Sequence, residues 1–218
     1  MTNATTGTPA TAPTSTPAPA PAPAPAPTGR RERKKAATRR ALADAALRLF
    51  VERGYEQVGI REIADAADVS TTTLFKHFAV KEALVFDEDA DQEARLLAAV
   101  HERPQGRSIP AALREHALRH RAAAVHDDAD FTAFIELVDN TPALRDYVQR
   151  MWLRHETALA RAIAEESGLP ADDPACAALA HFALEAPRIA RGSQDPRQAV
   201  TRAFDLLEKG WGAAVPRG

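Results

Sequence analysis

"IREIADAADVSTTTLFKHF", residues 60–78, sets two short apolar patterns on either side of a tight turn. Ile60, Ile63, Ala64 and Ala67 recur at helical spacing, and Leu74 and Phe78 do the same four residues apart. The link "ADVS" is too short for a loop. Asp68 tolerates left-handed backbone better than most residues, and Ser70 is a good N-cap for a second helix. A helix over 70–77 is too short to persist alone in water, so neighbouring elements must hold it. Leu74 and Phe78 supply its core side. Thr71, Thr72, Thr73, Lys76 and His77 are left over, and three adjacent threonines are poor material for a core.

Working outward, Leu42, Ala45, Ala46, Leu49 and Phe50 form one apolar stripe of an earlier helix, with Thr38 as its cap and Gly54 as a left-handed stop. Lys81 is expected to open a fourth helix through about His101, with Leu84, Val85, Leu96, Leu97 and Val100 on its apolar side. Further helical patterns run from Ile109 to Val125 and from Phe131 to Asp139. Thr141 and Pro142 start a long one that Gly168 ends. Asp173 with Pro174 and Asp195 with Pro196 repeat that start signal twice. No segment shows sustained strand alternation. The expected fold is all-α, about nine helices. A three-helix helix-turn-helix domain stands at the amino end and a helical domain at the carboxyl end.

The flanks sharpen the division. Residues 1–29 carry no charged side chain and contain "PAPAPAPAPAP" from Pro17 to Pro27. Alternating proline removes every second N–H and fixes φ, which predicts an extended tail with neither helix nor core. "RRERKKAATRR", residues 30–40, comes next with seven positive charges and one negative. Residues 30–81 hold 12 Lys+Arg against 7 Asp+Glu, while the rest of the chain holds 16 against 23. A basic front on an acidic back predicts that only the first part meets a polyanion. The boundaries expected are a tail at 1–29, a basic arm with a DNA-binding domain at 30–82, and a helical remainder at 83–218.

The short helix held out by its neighbours is helix-turn-helix geometry, in which the second helix of the pair lies in the major groove. Threonine hydroxyls, Lys76 and His77 supply phosphate and base-edge donors, and threonine methyls suit thymine methyls. At this level of detail the stretch "TRRALADAALRLFVERGYEQVGIREIADAADVSTTTLFKHFAVKEAL", residues 38–84, closely resembles the DNA-binding domain of the tetracycline-repressor (TetR) family of bacterial regulators. "A-LF-E-GY", "IREIA-AA-VS", "TLFKHF" and "KEAL" occur in the family's order and spacing.

The resemblance implies a ligand-responsive repressor, homodimeric on a palindromic operator of double-stranded DNA and released by a small lipophilic effector. The DNA-binding residues implied are Ser70, Thr71, Thr72, Thr73, Phe75, Lys76, His77 and Lys81, with the arm adding Arg30, Arg31, Arg33, Lys34, Lys35, Thr38 and Arg39. Three positions depart from the family pattern. Gly59 replaces a hydroxyl residue, Asp68 replaces glycine, and Phe75 replaces tyrosine and so lacks a phenolic hydrogen bond to phosphate. Greater reliance on the arm is the expected consequence, and electrostatic binding of that kind falls steeply with salt.

By the same resemblance, helices five to seven enclose a ligand pocket and the last two helices pair with a second subunit. Pocket candidates are His116, His120, Phe131, Phe134, Leu137, Met151, Trp152 and His155. Interface candidates are Ala177, Ala180, Phe182, Leu184, Val200, Phe204, Leu207 and Trp211. Pro187 is expected to kink its helix. His116 and His120 stand four residues apart on one helix face, yet no thiolate or carboxylate partner accompanies them, so no metal and no cofactor is expected. Arg114 and Arg119 read as surface ion pairs.

Cys176 is the one cysteine, which excludes a disulfide framework. No apolar run reaches membrane length and no secretory signal opens the chain, so a cytoplasmic protein with no membrane partner is expected. No phosphate loop, nucleophile elbow or H-E-x-x-H stands out, which argues against an enzyme. A helix-turn-helix protein that binds DNA without a small ligand remains the alternative.

Overall fold

The computed structural model describes Met1 and residues 28–120, 129–190 and 192–214. Expectations for residues 2–27 of the Pro/Ala tail and for residues 121–125 lie outside these, as does the side chain of His120, while Thr28 and Gly29, expected in the extended tail, are helical. Two compact units are distinguished, Met1–Ala36 and Ala37–Gly218. In the first, residues 28–36 are helical, and its cations Arg30, Arg31, Arg33, Lys34 and Lys35 are exposed.

All regular structure among the described residues is helical. The helices are α1 (Thr28–Arg53), α2 (Ile60–Ala66), α3 (Thr71–His77), α4 (Asp89–His101), α5 (Ile109–His120), α6 (Ala129–Asn140), α7 (Pro142–Ser167), α8 (Pro174–Ala190) and α9 (Pro196–Ala214). Short 3-10 turns occupy Tyr55–Gln57 and Glu82–Leu84. No described helix is long and apolar enough to cross a membrane.

Several boundaries were set locally and came out as expected. Ser70 Oγ accepts the Thr73 N–H at 3.1 Å, so it caps α3. Asp173 Oδ1 accepts from Ala175 N–H at 2.8 Å, and Asp195 Oδ1 from Gln198 N–H at 2.9 Å, each capping the helix that its proline opens. Gly168 closes α7 at φ 65° and ψ 26°. Asp68 takes φ 52° in the α2–α3 turn.

Others need correction. α1 starts at Thr28, ten residues before the expected cap, so Thr38 is an interior, half-buried residue. The basic arm is rich in arginine, lysine and alanine, all good helix formers, and that preference outweighs the unfavourable placing of cations at a helix N-terminus. Gly54 does end the helix, but at φ 87° and ψ 145°, not in the left-handed helical region. Lys81 does not open the fourth helix. It precedes the Glu82–Leu84 turn, and α4 begins only at Asp89.

Two apolar clusters carry the second unit. The amino-terminal one holds Leu42, Phe50, Tyr55, Ile63, Leu74, Phe78, Leu84 and Val85, and takes in Val138 from α6 and Leu144 from α7. Leu74 is 0% and Phe78 1% exposed, and each such burial contributes about 1.5–3 kcal/mol. This is the support that a seven-residue helix requires. The other cluster joins α4, α5, α7, α8 and α9 around Val100, Leu159, Ile163, Cys176, Ala180, Val200 and Phe204.

Candidate nucleic-acid interface

The two buried anchors of α3 fix which face it turns outward. Thr71, Thr72, Phe75 and Lys76 are exposed, and Ala79 and Val80 continue that surface beyond the helix end. Phe75 keeps 54% of its area open, on a helix whose neighbouring exposed side chains are polar. Hydroxyls, one ammonium group and one bare ring therefore share one short, rigid face.

The three threonines are not equivalent. Thr73 is half-buried, and its Oγ1 lies 2.9 Å from Ser70 Oγ, so both hydroxyls are engaged in the helix start. His77 is also half-buried, and its carbonyl accepts from Arg39. Four-residue spacing puts Thr73 and His77 on the flank of α3, away from its most exposed line.

Arg39 and Lys81 were both expected to meet phosphate, but the structure gives them internal partners. Arg39 donates to the His77 carbonyl at 2.7 Å and to the Asp87 carbonyl at 3.0 and 3.3 Å, with its guanidinium 4.1 Å from the centre of the Phe78 ring. Lys81 donates to the Tyr55 carbonyl at 2.6 Å and lies 4.0 Å from the Tyr55 ring centre. Burial lowers the Lys81 pKa, and Glu56, Glu82 and Glu62 oppose that fall. Burial, with Glu82 beside it, raises that of the Tyr55 hydroxyl. A lysine so placed fastens the turn after α1 to the segment after α3.

Gly59 has no side chain to cap α2, and Glu62 partly replaces one. Its carboxylate accepts the Gly59 N–H at 2.8 Å and pairs with Arg53 at 2.8 Å. The Gly59 N–H, then Arg53, hold the Glu62 carboxyl below its usual range.

The pocket candidates separate into three groups. Phe131, Phe134 and Met151 line a cavity of about 360 Å³, together with Leu47, Val85, Phe86, Asp87, Glu88, Asp89 and Gln92. Leu137 lines another of about 450 Å³, between the end of α1 and the α6–α7 corner. His155 is 2% exposed and bonds Asp89 Oδ1 at 2.7 Å, so it ties α7 to α4, and Trp152 meets its ring edge-on at 5.5 Å. Arg154 adds a second tie to Asp89 and one to Glu93 at 3.4 Å. His116 is half-buried on α5 and borders neither cavity. Among the described residues, no three His, Cys, Asp or Glu side chains converge as metal ligands would.

The sequence pattern did not reveal the connector, residues 85–89. Phe86 stacks on Tyr147 at 5.4 Å and meets Phe134 edge-on at 6.0 Å, which places it at the heart of the aromatic wall. An isolated phenylalanine in an expected helix gave no period to betray that. Arg114 pairs with Asp205 at 2.9 Å and Arg119 with Glu115 at 2.7 Å, as surface ion pairs.

The interface candidates also divide. Ala180, Val200 and Phe204 are buried inside the chain, whereas Leu184, Leu207 and Trp211 pack against the same core and stay half-buried. Ala177 and Phe182 are exposed, Phe182 by 52%. Ile189 on α8 and Leu206 on α9 are more exposed still, at 74% and 72%, and were not foreseen. Both were hidden by the same ambiguity: an apolar stripe in sequence does not say which of two faces meets the chain's own core.

Comparison with known proteins agrees with the geometry. Residues 42–87 match the family model of bacterial regulatory proteins of the tetR family. The chain is 34% identical over 179 residues to the HTH-type transcriptional regulator TcmR of Streptomyces glaucescens, spanning 79% of this chain and 75% of that one. Among solved structures, the TetR family repressor AlkX from a Dietzia strain aligns with a TM-score of 0.54 at 18% identity, over 81% of this chain and 98% of that one. The SmeT–triclosan complex aligns with a TM-score of 0.53 at 20% identity, over 80% and 91%. These two likenesses concern the fold.

Proposed function

Since this chain belongs to the TetR family of DNA-binding transcriptional regulators, and not to an enzyme family, we propose that it is a ligand-responsive repressor acting as a homodimer on a palindromic operator. The exposed face of α3 carries the reading. Thr71, Thr72, Phe75 and Lys76 are presented by a helix too short to stand without its buried anchors. Hydroxyls and the ammonium group suit phosphates and base edges, and the Phe75 ring suits apolar contact with a thymine methyl or a sugar. Exposed Arg30, Arg31, Arg33, Lys34 and Lys35 supply sequence-independent attraction to the backbone.

A dimer places two α3 helices one groove turn apart, about 34 Å or a multiple. Exposed Phe182, Ile189 and Leu206 support α8 and α9 as its interface, since apolar side chains of this size gain most from mutual burial. The effector is a small lipophilic molecule with aromatic character, which the Phe86, Phe131, Phe134 and Met151 lining of the 360 Å³ cavity would accept. Its entry would displace the connector that leads from α3 to α4.

Selection of bound duplexes from a random pool tests the first half. A palindrome should be enriched, with affinity falling steeply as salt rises and the slope shrinking when residues 1–35 are removed. Failure to enrich any palindrome overturns the reading. Affinity for that duplex across a panel of lipophilic aromatics tests the second half. A coupling of about 1–3 kcal/mol marks an effector, and no coupling throughout the panel refutes the ligand response.

A further inference from the structure

Arg39 stands in the basic run, but its side chain is committed elsewhere. One Nη donates to the carbonyl of His77, the last residue of α3, at 2.7 Å. Nε and the other Nη donate to the carbonyl of Asp87 at 3.3 and 3.0 Å. The guanidinium lies over the Phe78 ring, which fixes its plane. One planar fork thus joins the carbonyl end of α3 to the connector beyond it.

Two physical points make that bridge informative. A cation at a helix C-terminus meets orphan carbonyls and the negative end of the helix dipole, so the contact stabilises α3 directly. An arginine fork holds two acceptors at fixed separation, which a lysine ammonium, a flexible point charge, does not reproduce. On its other side, the connector borders the 360 Å³ cavity through Phe86, Asp87, Glu88 and Asp89.

We propose that Arg39 is a positioning residue, a latch that sets α3 against the connector and passes displacement of the cavity wall to the DNA-reading helix. This rests on the regulator reading above. It assigns Arg39 a role distinct from neutralising phosphate, and the two roles separate cleanly by experiment.

R39K and R39M are compared with the parent full-length chain by hydrogen exchange and by binding to the selected palindromic duplex across a salt series. The latch predicts faster exchange in both variants at the amides of Leu74 in α3, Phe78 just after it, Phe86 in the connector and Asp89 at the start of α4, all hydrogen-bonded in the native chain. It predicts roughly tenfold weaker duplex binding for both, with the salt slope unchanged. A phosphate contact predicts the opposite: normal affinity in R39K, and a slope reduced by about one in R39M. That pattern, or unchanged exchange in both segments, overturns the latch. F134W, which adds bulk to the cavity wall, supplies the transmission arm. The latch requires F134W to weaken duplex binding in the parent and to have no further effect in R39M. No effect in the parent, or additive effects, refutes transmission. If no duplex is ever selected, the regulator reading fails, while the exchange data still decide whether Arg39 holds the two segments.

Discussion

The outward faces of α3 and α8 are both open to solvent in the single chain, yet they are built from opposite materials. α3 shows Thr71, Thr72 and Lys76 around one phenylalanine. α8 shows Ala177, Ala178, Phe182 and Ile189, with His181 and the Glu185–Arg188 ion pair at 2.6 Å as the polar relief on the same side. A polar face that water already satisfies gains little from an apolar partner and much from a polyanion. An apolar face gains from any dry, complementary surface. The difference teaches that exposure alone does not identify a partner, and that the chemistry of the exposed atoms narrows it.

The comparison is broken most severely by charging α8. F182E combined with I189E should leave a monomer by sedimentation and weaken binding to the palindrome about 100-fold or more, because two half-sites are no longer engaged together. A dimer that survives both changes moves the interface elsewhere. On α3, K76A should weaken duplex binding about tenfold and reduce the salt slope by about one, as loss of a single phosphate contact does. An unchanged slope would exclude Lys76 from the phosphate backbone.

S70A tests how α3 is held rather than what it touches. Removing the acceptor of the Thr73 N–H should cost about 1 kcal/mol in urea unfolding, and S70D should recover most of it. Equal stability of S70A and the parent would mean that the two apolar anchors alone fix the helix.

The smallest effect concerns Asp87 in the connector. Burial, then the neighbouring Glu88, raise the pKa of its carboxyl, so the folded chain disfavours the ionised form. That penalty is absent below the ordinary carboxylate range and complete above the raised value. D87N should therefore raise the melting temperature at neutral pH by at most about 2 °C, and the gain should shrink as pH falls. A gain that grows in acid would contradict the sign.

What was legible in the sequence was local. Ser70, Asp173 and Asp195 each cap within two or three residues, Pro142 and Gly168 bound a helix by their own backbone limits, and Leu74 and Phe78 declare one face of a short helix by spacing alone. Such signals need no knowledge of where the rest of the chain goes, and they sufficed for an all-helical fold with a short α3 anchored by two buried side chains. The internal partners of Arg39 and Lys81 were not legible because they are remote: the carbonyls they bind lie 38, 48 and 26 residues away. Nothing in a run of positive charge says which cation will turn inward. For the same reason the sequence marked α8 and α9 as apolar but could not tell Ala180, Val200 and Phe204, sealed within the chain, from Phe182, Ile189 and Leu206, left outside. Periodicity fixes the faces of a helix, and only tertiary packing decides which face is covered.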